Sequence, residues 1–270
     1  DTKAILDELE QGVGFVACNT LVLGLLREAL VAQARAVLAR LPVAERGTSV
    51  LLTCLGRLLK DTGQLKEARP LYEEVLQARR EALGDRHLET LISISNMGAL
   101  LQAMGKLEEA RPLLEEALQA RRETLGDRHP DTLISINNMG LLLQDMGQLE
   151  EARPLYEEAL QASRETLGDR HPDTLISIGN MADLLRATGA LVEAEAVLGN
   201  AVGVAQEVFG SNHMHTLVIT AKAARLQHAQ PGGAAAGKEL LAATVARMAE
   251  VLGENHQQAR KYREVLMEME

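Results

Sequence analysis

The sequence predicts an all-α solenoid of antiparallel helix pairs, and three observations predict it. The string Glu-Ala-Arg-Pro-Leu recurs at Glu67–Leu71, Glu109–Leu113 and Glu151–Leu155, a constant step of 42 residues. Residues 106–147 and 148–189 align without a gap and are identical at 33 of 42 positions. Within a repeat the apolar spacing is helical, as in Leu133, Ile136, Met139, Gly140 and Leu143, followed by Leu149, Ala152, Tyr156, Ala159 and Leu160. A unit of that size cannot bury its apolar face alone, so neighbours stack into an elongated array.

The unit boundaries are set by turn chemistry. Met146-Gly147-Gln148 separates the two helices of a unit, its glycine suited to the left-handed conformation that ends a helix. The second helix stops at Leu125-Gly126 or Leu167-Gly168, and the next first helix opens at Pro130-Asp131-Thr132 or Pro172-Asp173-Thr174. Proline and an acid suit a first helical turn, where the amide has no partner to lose and the helix dipole favours negative charge. Pro70, Pro112 and Pro154 fall inside the second helices and should delete one backbone bond each, with a slight kink.

The marker Leu-Gly-Asp-Arg-His, at Leu83–His87, Leu125–His129 and Leu167–His171, degenerates to Phe209–His213 and Leu252–His256. Residues 1–270 therefore read as one domain. Residues 1–46 are a diverged first unit, 47–189 near-identical repeats, 190–254 diverged repeats and 255–270 a capping helix. Interior glycines at Gly12 and Gly14 weaken the first unit. If the last helix instead exposes Tyr262, Val265, Leu266 and Met267 on one face, it is a docking site.

Small residues mark where helix axes approach: Gly140, Ala152 and Ala159, with Tyr156 as the bulky filler. Small, then alanine twelve later, bulky sixteen later and alanine nineteen later resembles the tetratricopeptide repeat. The 42-residue length, the pair Asn137-Asn138 before Gly140 and the Leu-Gly-x-x-His-Pro-Asp linker resemble kinesin light chains and nephrocystin-3-like proteins over residues 48–256. The resemblance implies a right-handed superhelical solenoid, first helices lining a concave face, and cargo peptide held by asparagines matching Asn96, Asn137, Asn138 and Asn180. Heptads of the kind that attach light chains to a motor are absent, so an adaptor or scaffold is expected rather than transport.

Composition excludes several classes. A net charge of −10 argues against nucleic acid as partner. No apolar run approaches the roughly 20 residues that span a bilayer. Cys18 and Cys54 are too few for a disulfide framework and read as small buried hydrophobes. That fits a reducing intracellular compartment, the cytoplasm ahead of a plastid or mitochondrial interior.

No motif carries catalysis, and no cofactor or metal is expected. Gly232–Lys238 spells the first seven positions of a phosphate loop, but Glu239 stands where Ser or Thr is required, and a helix precedes it. The histidines at 87, 129, 171, 213 and 256 come one per unit, which suits capping of the linker rather than a metal site. Ser, His and Asp recur periodically, whereas an active site is a single asymmetric constellation. The charged runs Glu150–Arg153 and Arg121-Arg122-Glu123 read as solvated outer faces.

What remains is the inner wall. Ser95, Asn137 and Gly179 form one stripe, and Asn96, Asn138 and Asn180 its neighbour; Lys60, Gln102, Gln144 and Arg186 lie a turn further on. Side-chain amides can pair with the backbone of an extended peptide in either sense. Arg57, Lys60, Arg186, Lys222 and Arg225 make the groove ends basic and favour an acidic guest. The expected function is a non-enzymatic peptide-binding adaptor with an exposed amide ladder. Alternatives are a structural subunit of a larger organelle or ciliary complex, and the sensor arm of a multidomain signalling protein.

Overall fold

The computed structural model describes residues 28–42 and 47–269. After a helical stretch at 28–38 come α1 (Val50–Asp61), α2 (Leu65–Leu83), α3 (Leu88–Ala103), α4 (Leu107–Leu125), α5 (Pro130–Asp145) and α6 (Leu149–Leu167). There follow α7 (Pro172–Ala187), α8 (Leu191–Leu198), α9 (Ala201–Phe209), α10 (Met214–Ala229), α11 (Ala234–Leu252) and α12 (Gln257–Glu268). Among the described residues every regular element is a helix. The first unit and Cys18 lie largely outside them.

The four units that begin with α1, α3, α5 and α7 close on themselves in the same way. Gly147 sits at φ +77°, its N–H bonds to Gln144 O at 3.0 Å, and Gln148 N–H bonds to Leu143 O at 2.8 Å. These two bonds satisfy carbonyls that the end of α5 would otherwise leave open. The joint to the next unit is equally regular. Gly126, at φ +86°, ends α4, and His129 then caps α5, its Nδ1 accepting from Asp131 N–H at 3.2 Å. His87, His171, His213 and His256 cap their helices identically. The periodic histidines are thus helix caps, as expected. Beside each cap a buried threonine reaches back: Thr90, Thr132, Thr174 and Thr216 donate to the carbonyls of Arg79, Arg121, Ser163 and Ala205.

Packing explains the small residues. An added Cβ on Gly140 would stand 2.7 Å from the Tyr156 ring, and one on Gly98 2.6 Å from Leu114. At Gly56 the nearest atom, on Tyr72, is 3.5 Å away, an ordinary contact. The core built this way is continuous from Leu38 to Leu226, while α10, α11 and α12 enclose a second, smaller one around Ala221, Val245 and Tyr262.

Pro70, Pro112 and Pro154 sit inside α2, α4 and α6, which run on unbroken, whereas the helix that lacks the proline splits into α8 and α9 at Gly199, where φ is +44°. Two expectations change. Arg121 belongs to no solvated face. It is 4% exposed, and its guanidinium donates to Ser95 Oγ at 2.9 Å and to Ser135 Oγ, between two first helices. Cys54 is exposed, because it occupies the register of Asn96 and so faces the concave side rather than α2. The remaining outer charges tie neighbouring units together, as in Arg80–Glu116 and Arg122–Glu158, both 2.7 Å. The phosphate-loop look-alike is the turn that leads into α11: Gly232 has φ +76°, and a Cβ on Gly237 would stand 2.3 Å from His228 N, where α10 and α11 touch.

Two glycine substitutions should therefore diverge. Alanine gains about 1 kcal/mol of helix propensity over glycine, whereas overpacking a rigid ring costs about 1–3 kcal/mol. Gly56→Ala is expected to raise the urea midpoint and Gly140→Ala to lower it. Equal shifts in the two variants would contradict the packing described.

Candidate functional site: the concave groove

The first helices α1, α3, α5, α7 and α10 contribute one inner wall. Every 42 residues they place Val50, Ile92, Ile134, Ile176 and Val218 in register. Ile134 and Ile176 remain 39% and 37% exposed although each stands in the second turn of a helix that is otherwise largely buried. This aliphatic stripe escapes the sequence reading, which followed only polar positions; its signal is a β-branched residue two places after each invariant threonine.

Two clefts open along the wall. One, of about 330 Å³, is lined by Ile134, Asn138, Ile176, Val218 and Lys222, with Gln258, Lys261 and Tyr262 of α12 opposite. The other, of about 470 Å³, runs from Lys60 and Gly63 past Gln102, Leu141 and Asp145 to Arg260 and Glu264. Asn138, Leu141, Gln258 and Lys261 line both. The groove is therefore not open along its length: α12 lies across it. Tyr262 is 1% exposed, packed on α10 and α11, and of the four residues expected to share a docking face only Met267 stands free in solvent.

The ten residues expected to form the site meet different fates. Lys60, Gln102, Asn137, Asn138 and Asn180 line the clefts; Asn96, Arg57, Gln144, Arg186 and Arg225 do not. The amide ladder is only partly available. Asn96 and Asn138 are half-buried, with no side-chain hydrogen bond among the described residues. Asn137 is 6% exposed, and its amide donates to Ser177 Oγ at 2.8 Å and to Leu133 O at 3.2 Å. Asn180 donates to Asn137 Oδ1 at 3.4 Å and accepts from Lys222 Nζ at 2.6 Å. Gln102 donates to Asp145 at 2.6 Å, and Gln144 accepts from Tyr156.

Asn137 is buried for a reason that spans two helices. At the preceding joint Arg121 bridges Ser95 and Ser135; one unit later the equivalents are Ser163, Asn137 and Ser177. Ser163 reaches Ser177 Oγ at 3.5 Å but is too short to bridge to Asn137, so Asn137 turns inward and bonds Ser177 itself. The expected basic ends also shrink. Asp183 pairs with Arg186 at 3.1 Å and Arg225 at 3.0 Å. Burial alone would push the Asp183 carboxyl up, but Lys222, Arg225 and Arg186 together reverse this and hold it below the usual carboxylate range. Arg57 stays exposed, while burial lowers the Lys60 ammonium. Of the five cations named as favouring an acidic guest, Arg186 and Arg225 are thus committed to Asp183 and Lys222 to Asn180, while Arg57 and Lys60 carry no ion pair among the described residues.

Models of the tetratricopeptide repeat match residues 48–89, 90–131 and 133–199, more than half of the chain. The chain belongs to the tetratricopeptide repeat family. Its solenoid is of the kinesin light chain type. The solved nearly identical TPR-like repeats assigned to a kinesin light chain of Podosopora anserina are 30% identical to it, covering 74% of this chain and 94% of that one, with a TM-score of 0.57. BtubC (BKLC) from P. vanneervenii shares the fold at 16% identity and TM-score 0.54, over 94% of this chain and 93% of that one. Among curated proteins none matches by sequence. Beyond residue 199 the tetratricopeptide frame is carried by the His213 and His256 caps and by Thr216. Among the described residues no helix is long and apolar enough to cross a membrane.

Lys222 gives this wall a pH dependence. Burial pulls its ammonium down to about 8 from 10.5, against the opposing pull of Asp183, with Lys261 and Arg225 adding to the fall. Below the folded value both states carry the proton and the burial penalty is constant. Between the two values the unfolded chain binds more protons, so stability rises with pH. The stability of the wild type minus that of Lys222→Met, from denaturant titrations, should be flat below pH 8 and climb from there to 10.5. A flat difference throughout would show that the amine stays solvated.

Proposed function

We propose that this chain is a non-enzymatic protein-interaction module that takes an extended peptide segment in its concave groove. One observation carries the reading: the Ile134, Ile176 and Val218 stripe lies half-exposed beside the unpaired Asn138 amide, within one cleft. Exposed aliphatic side chains in a concave wall cost free energy in water and regain it when covered. An amide with both a donor and an acceptor unused can pair with either side of a peptide backbone. The guest this favours is an extended strand with alternating apolar side chains seated on the stripe. The mixed charges of Asp173, Lys222 and Lys261 give it no strong overall sign. Such contacts hold at micromolar strength, on the order of 8 kcal/mol, suited to exchange rather than permanent assembly.

Peptides selected from a displayed random library on the purified chain, then measured by fluorescence anisotropy, test this. Ile134→Glu and Ile176→Glu should each weaken a selected peptide at least ~tenfold, equivalent to about 1.4 kcal/mol. Asn138→Ala should cost about 1 kcal/mol, and Arg153→Ala on the outer face should change nothing. If the groove variants bind like wild type while the outer-face variant does not, the outer face is the working surface, and the structural-subunit reading takes its place.

A further inference from the structure

We propose that α12 is a tethered lid, a segment of this chain that occupies the concave groove and must be displaced by a guest. This rests on the groove reading above. Residue 260 is far from residue 63 in sequence, yet the Arg260 guanidinium lies against the turn between α1 and α2. A Cβ on Gly63 would stand 2.6 Å from Arg260 Nη1 and 3.8 Å from Asn255 O. The last described helix thus crosses the superhelix to its first complete unit.

The two edges of α12 differ in chemistry. Its inner edge is apolar: Ala259 and Tyr262 are buried in the small core with Ala221 and Val245. Its outer edge is polar, with Arg260, Lys261 and Glu264 facing Asp145 and Gln102 across the 470 Å³ cleft. No α12 residue belongs to the main core that runs from Leu38 to Leu226. An apolar edge on one side and a wet, charged edge on the other make a hinge and a latch. Among the described residues no ion pair joins these charges to Asp145 across the cleft, and charged groups facing each other through solvent contribute little, so the latch opens at small cost while the hinge stays packed.

The same placement sets up competition. Asn138 and Leu141 line both clefts, and Gln258 and Lys261 face them in both. A peptide bonding to Asn138 takes the space those α12 side chains now fill. Its apparent affinity is then reduced by the fraction of molecules whose lid is closed.

The test uses the full chain with Cys18→Ser and Cys54→Ser, so that Asn138→Cys supplies the one thiol. Reversing the latch with Arg260→Glu and Lys261→Glu should speed thiol labelling at position 138 at least ~fivefold, and, in the chain that keeps Asn138, should tighten a library-selected peptide by a similar factor. Circular dichroism melts check folding, and Lys261→Ala serves as the milder variant. In the unsubstituted protein, amide exchange over Gln257–Glu268 should accelerate on saturation with peptide. Unchanged labelling overturns the lid whatever the peptide does. Faster labelling with unchanged affinity and unchanged exchange overturns the competition while leaving the groove intact as a binding site. If no peptide binds either form, the groove reading itself fails and the competition with it.

Discussion

The joint between successive units is the constraint on which the rest of this molecule depends. A glycine with positive φ ends one helix, a histidine imidazole caps the next, and a buried threonine hydroxyl ties the new helix to a carbonyl eleven residues back. Each part satisfies a backbone group that a helix terminus would otherwise leave open. Because the glycine and the histidine cap are repeated at all five joints, and the threonine tie at the four that open with His87, His129, His171 and His213, the rotation from unit to unit is repeated as well. A constant small rotation accumulates into curvature, and curvature brings α12 back across the groove to the first complete unit.

Within that frame, residues change in compensating sets rather than singly. Leu114 and Gly98 give way to Tyr156 and Gly140 with the same tight contact. The bridge made by Arg121 is lost at Ser163 and restored by Asn137. Leu141 becomes Asp183 in the next unit, and there the added carboxylate is met by Arg186 and Arg225. Buried polar groups in a low-dielectric interior demand partners, so a change at one joint selects the residue at another. The differences between near-identical repeats thus fall both on the core contacts and on the groove surface. That gives each stretch of wall its own character while leaving the stack intact.

The groove that results joins an aliphatic stripe to a few free amides, under a helix held by an apolar edge. Charge plays a smaller part than composition implies. The acidic balance of −10 sits mostly on outer helices, where it is spent on pairs between units; of the cations near the groove, Arg186 and Arg225 are neutralised by Asp183, while Arg57, Arg260 and Lys261 stay exposed. What distinguishes the inner wall is therefore shape and apolar exposure, in a protein whose family serves protein recognition.

The sequence alone determined the helices, their caps and their order, because those are local properties repeated at a fixed step. His129 before Pro130, Gly147 after Met146 and Ala152 opposite Gly140 each carry their own physical reason within a few residues or one unit. It also placed Asn137 and Asn138 on the inner face. It counted both in an exposed ladder, whereas which of the two points outward depends on Ser163 and Ser177 in other helices. Cys54 and Arg121 show the same limit: exposure is a property of what packs opposite, not of residue type. The lid was decided by tertiary structure alone, because the meeting of Arg260 with Gly63 is the sum of rotations over five joints, and no single joint contains it.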